Sequence, residues 1–140
     1  MTRTLRSFFI AVIAISTAAA AFAADRSQGP YANAKKWENA EKNYINALKI
    51  GNDGAKISAA GYLADYRLTG AVPVLIDVLK SDKVENVRIS AALALIMLDD
   101  KEGRAAIGEA ALYDGSDRVA QFCEALLKAH AEKGKTIAEE

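Results

Sequence analysis

Residues 71–99 read AVPVLIDVLKSDKVENVRISAALALIMLD. The stretch divides into two helices at the polar, turn-forming Ser81-Asp82-Lys83. Pro73 stands near the start of the first, where a missing N–H costs nothing and its fixed φ suits a helix. Val74, Leu75, Val78 and Leu79 recur at spacings of three and four, the period of one apolar helical face, with Asp77 and Lys80 off it. The second helix begins near Asn86, and its apolar Ile89, Ala92, Leu93, Leu95, Ile96 and Met97 span more than half its circumference. A helix that apolar needs cover on more than one side. Its own partner covers one side only, so the pair is expected to be the middle member of a stack.

The second helix recurs. Lys56-Ile57-Ser58-Ala59-Ala60-Gly61-Tyr62-Leu63-Ala64 aligns with Arg88-Ile89-Ser90-Ala91-Ala92-Leu93-Ala94-Leu95-Ile96 at an offset of 32, with five of nine positions identical and Lys matched to Arg. A weaker third copy, Arg118-Val119-Ala120-Gln121-Phe122-Cys123-Glu124-Ala125-Leu126, aligns at an offset of 30 on the pattern of base, β-branched residue and spaced apolar positions. Two helices per period of about 30 residues point to a stacked helical array. The remaining helices are expected at about 32–50, 55–68, 102–112 and 117–131. The turn Gly51-Asn52-Asp53-Gly54 offers residues suited to left-handed backbone.

Pro73-Val74-Leu75-Ile76-Asp77-Val78-Leu79 and Val87-Arg88-Ile89-Ser90-Ala91-Ala92-Leu93-Ala94-Leu95 resemble HEAT repeats, especially the short bacterial HEAT-like kind, over roughly residues 37–130. The resemblance implies ion pairs between repeats, made by an acid in the turn and a base at the start of the second helix. Asp53 lies three residues before Lys56, and Glu85 three before Arg88. The third copy departs from this, with Asp114 and Asp117 around Gly115-Ser116 ahead of Arg118. The expected ladder residues are therefore Asp53, Lys56, Glu85, Arg88 and Arg118. The expected fold is all-α, a short α-solenoid of about three HEAT-like helix pairs preceded by a signal peptide. Its repeats fall at about 32–69, 70–99 and 100–131 of a domain at 32–133, with a frayed polar tail at 134–140.

Met1 to Ala23 has the three parts of a secretion signal: Arg3 and Arg6, an apolar run from Phe8 to Ile15, and the small-x-small site Ala21-Phe22-Ala23. Cleavage there would leave a flexible lead-in at 24–31 and a chain exported to the periplasm or secreted. The alternative, a retained anchor, would rest on an apolar run shorter than the roughly 20 residues a spanning helix needs. The whole chain carries 18 basic and 18 acidic residues; without residues 1–23 it carries 16 and 18, a net −2. Near-neutrality gives no electrostatic reason to bind nucleic acid or, after cleavage, an anionic membrane.

Catalytic chemistry has little to stand on. His130 and Cys123 are the single His and single Cys. They make neither a zinc site nor a nucleophile–base dyad, and Cys123 falls on an apolar face with Val119 and Leu126. Asp99, Asp100 and Glu102 lack the spacing of a calcium loop and read as helix caps. No cofactor and no enzymatic activity are expected. Tyr62 and Tyr66 lie opposite Ile57, Ala60, Ala64 and Leu68 on their helix. Exposed, they would form a partner patch; the helix's need for cover on two sides favours packing instead. The expected function is an exported interaction module for a protein or peptide of the cell envelope. The alternatives are a bilin-lyase-like or other small-ligand HEAT protein, and a self-associating structural protein.

Overall fold

The computed structural model describes residues 34–138. The expected signal segment at 1–23 and lead-in at 24–31 lie outside the described residues. The described chain is all-helical: α1 (Ala34–Ile50), α2 (Asp53–Asp65), a 3₁₀ turn (Thr69–Ala71), α3 (Val72–Ser81), α4 (Glu85–Leu98), α5 (Lys101–Tyr113) and α6 (Asp117–Ala138). No helix among the described residues is long and apolar enough to cross a membrane. The chain divides into two units, one ending at Asn39 and one running from Ala40. The described part of the first is residues 34–39, the opening turns of α1. All packing below belongs to the second.

Short polar side chains cap the starts of α2 and α5. The Asn52 side chain accepts the Ala55 amide at 2.9 Å, and Asp100 Oδ1 accepts the amides of Glu102 and Gly103 at 2.8 and 3.0 Å. Pro73 sits in the first turn of α3. Two ends differ from the sequence expectation. α2 stops at Asp65, short of the expected Leu68, because Arg67 takes left-handed backbone (φ 56°). There the Arg67 and Leu68 amides bond back to the carbonyls of Ala64 and Leu63, closing the helix. α6 runs on to Ala138, so the expected frayed tail at 134–140 is helical as far as 138. No proline follows Ala131, and Gly134 weakens a helix without breaking it.

The turn after α1 also differs. No described glycine has positive φ. Gly51 is required for space instead: a Cβ there would fall 2.4 Å from the Ala47 carbonyl oxygen.

The second helices pack side by side, α2 on α4 and α4 on α6. α3 packs on α5, α3 on its own second helix α4, and α5 on α6. α4 thus touches α2, α3, α5 and α6, which is why so much of its surface is apolar. Val87, Ala91, Ala92, Ala94, Leu95 and Leu98 are its buried residues. Leu93 and Met97, part of the apolar surface expected to be covered, are exposed. α5 approaches α4 closely at Gly103, where a Cβ would sit 3.0 Å from Leu95 Cδ2.

Burial resets the third copy. Ala59, Ala91 and Cys123 are all buried at successive offsets of 32, and Leu63, Leu95 and Leu127 all pack in the core at the same offset. The offset of 30 matched Arg118 to Arg88. At the offset set by packing, Ala120 occupies the place of Arg88.

Candidate functional site

Two pairs of largely buried charged residues link successive helix pairs. Lys56, on α2, meets Asp82 at 2.5 Å. Arg88, on α4, grips Asp114 with two bonds of 2.9 and 3.0 Å, and also donates to the Asp82 carbonyl at 2.8 Å. Base and acid recur together at the offset that relates the buried positions, Lys56 as Arg88 and Asp82 as Asp114. Each acid does a second task, since Asp82 Oδ1 accepts the Val84 amide and Asp114 Oδ1 the Ser116 amide. These side chains are largely buried, which makes the pairs a matter of positioning one helix pair on the next.

The acids expected opposite these bases lie elsewhere. Asp53 is exposed in the first turn of α2, where its charge suits the helix dipole. Glu85 faces Arg118 at 3.6 Å with both side chains open to solvent, a contact worth little. The acids that do meet Lys56 and Arg88 lie 26 residues further on, in the turn of the next helix pair.

Burial pushes the Asp82 carboxyl up, but the bond from Lys56, the Val84 amide and the charges of Lys56 and Arg88 hold it below its usual 3.8. Asp114 behaves alike: burial raises it, while Arg88 and the Ser116 amide bring it below 3.8. The Asp114 hydrogen bond in turn raises Arg88, against its burial.

Tyr62 and Tyr66 are 47% and 39% exposed. They also stack: Tyr44 of α1 on Tyr62 with ring centroids 5.2 Å apart, and Tyr62 on Tyr66 at 6.2 Å. Stacking supplies part of the cover the helix needs and leaves an aromatic face in solvent. Leu93 and Met97 on the neighbouring α4 are 43% and 41% exposed. The signal for them was present in the alignment, since they match Gly61 and Asp65, which are not core residues.

Arg67 directly follows Tyr66 and crosses to α4, donating from Nη1 to the Met97 carbonyl at 2.9 Å. Beyond it lies a groove of about 670 Å³ lined by Arg67, Met97, Asp99, Leu126, His130 and Lys133 among others. His130 Nε2 lies 2.9 Å from Asp99 Oδ1, and Arg104 also pairs with that oxygen.

Cys123 is buried, and burial, with the Asp114 charge adding to it, pushes its thiol up to about 11. At neutral pH the thiolate fraction is then on the order of one in ten thousand. The folded chain is expected to leave Cys123 unmodified by a thiol reagent at pH 7 and to take up one equivalent after denaturation. Rapid stoichiometric labelling of the folded chain would show an accessible, activated thiol instead. Among the described residues no group of three His, Cys, Asp or Glu side chains could hold a metal ion. No protein-family model, curated protein or solved structure matches the chain.

Proposed function

We propose that the chain is a short HEAT-like α-solenoid, exported by the signal at 1–23, that binds a protein or peptide in the cell envelope. The stacking of first helices on first and second on second, with buried positions and charged pairs recurring from one helix pair to the next, supports the solenoid. The exposed run of Tyr62, Tyr66, Leu93 and Met97 on adjacent second helices carries the binding reading. Aromatic residues and Met are enriched at interfaces, and a stacked tyrosine pair offers a large contact area with little side-chain entropy left to lose.

The test is affinity capture from envelope extracts with the chain and with a Tyr62→Ala/Tyr66→Ala variant of unchanged helicity. A partner held by the first and lost by the second is the expected result. Capture of no specific partner by either would sink the reading.

A further inference from the structure

Arg67 and Asp99 occupy matching places just past the last turns of α2 and α4, and both have left-handed backbone, φ 56° and 55°. That conformation costs an L residue about 1 kcal/mol, and glycine adopts it freely. Charged residues nevertheless occupy both places, and both line the one groove. Their side chains are thus held where the backbone alone would favour glycine, and such sites cluster where a side chain has work to do.

The charges in the groove are uneven. Asp99 is the one acid among the described residues of its lining, and Arg104 and His130 already engage it. Arg67 commits one nitrogen to the Met97 carbonyl, and Arg104 bonds the Asp99 carbonyl at 2.7 Å. Together these bonds meet the negative end of the α4 dipole. The rest of the Arg67 guanidinium remains open, and Lys133 makes no hydrogen bond or ion pair among the described residues. Met97 and Leu126 supply apolar lining in the same groove.

We infer that this groove receives an acidic peptide segment bearing one apolar anchor. The anchor seats between Met97 and Leu126, and flanking carboxylates meet Arg67 and Lys133. Arginine offers a carboxylate a two-pronged partner, and Lys133 a mobile point charge. The inference rests on the protein-binding reading above and specifies the chemistry of its partner.

The experiment is fluorescence anisotropy of the purified chain with labelled short peptides. One contains Glu, Ser and a single central Leu, one has Lys for each Glu, and one has Ser for the Leu. The first is expected to bind about tenfold or more tighter than either other, a difference of about 1.4 kcal/mol. Its affinity should fall as salt rises from roughly 50 to 300 mM, as screening requires. Arg67→Glu/Lys133→Glu should cost at least about tenfold. Arg67→Gly, which suits the left-handed backbone and so keeps the fold, should weaken the same peptide. Overturning results are no binding of the acidic peptide, equal binding of the basic one, or equal binding by the charge-reversed chain. Envelope capture separates the two levels. A partner lost with the tyrosine variant but kept by the charge-reversed chain overturns the groove and leaves the binding module standing. Absence of any captured partner removes the module itself.

Discussion

Leu95→Asp is expected to leave a chain with no cooperative unfolding transition. Leu95 is fully buried on α4, the helix that touches four others, and it lies against Gly103 at the close approach of α5. Losing the leucine contacts costs about 2–5 kcal/mol, as large-to-small core changes do. Burying an unpaired carboxylate there adds several kcal/mol more. Domains of this size have about 5–15 kcal/mol of stability in all, so the sum reaches or exceeds it. Asp also has poor helix propensity, and Leu93→Asp separates that from burial. Leu93 lies two residues away on the same helix and is solvent-exposed, so its change should cost only about 0.5–1 kcal/mol. Thermal melts followed by circular dichroism decide the matter. A Leu95→Asp melt within a few degrees of the parent would mean that α4 does not present this face to its neighbours.

The second large effect belongs to the Arg88–Asp114 pair. Asp114→Ala is expected to lower stability by about 3 kcal/mol, because it takes both carboxylate bonds from a largely buried guanidinium, leaving it the Asp82 carbonyl, and also removes the acceptor for the Ser116 amide. Arg88→Met in that background should recover part of the loss by removing the stranded charge, giving a coupling of about 1–3 kcal/mol in the double-mutant cycle. Simple additivity of the two changes would dismiss the pair as a structural link. Asp82→Ala should cost less, since Lys56 is a mobile point charge that can turn to water. The pH dependence has a definite sign. Asp82 and Asp114 have folded pKa values below the usual 3.8, so the unfolded chain takes up protons first as pH falls. Their stabilisation is full well above pH 3.8 and is lost as pH drops through the depressed folded values. The melting temperature of the parent should therefore fall steeply below about pH 4, and that of Asp82→Ala/Asp114→Ala less so.

The helices themselves were readable because their signals are local. Pro73 opens α3, Asn52 and Asp100 cap α2 and α5, and spacings of three and four mark the buried faces. The recurrence of Lys56 as Arg88 was equally plain, and it marked the bases that join one helix pair to the next. Register was harder where the third copy diverges. Matching Arg118 to Arg88 followed charge, whereas the core follows volume, and Cys123 fills the place of Ala59 and Ala91.

The sequence by itself determined that the described residues are helical, roughly where their helices lie, and the offset between their first two copies, because capping and apolar spacing act within one or two turns. Only the tertiary structure decided which acids meet Lys56 and Arg88, that the stacked Tyr62 and Tyr66 keep an aromatic face in solvent, and that Arg67 and Asp99 share a groove. Those facts depend on residues far apart in the chain meeting across packed helices. Local spacing carries no record of such meetings; they are set by the area each helix must bury against its neighbours.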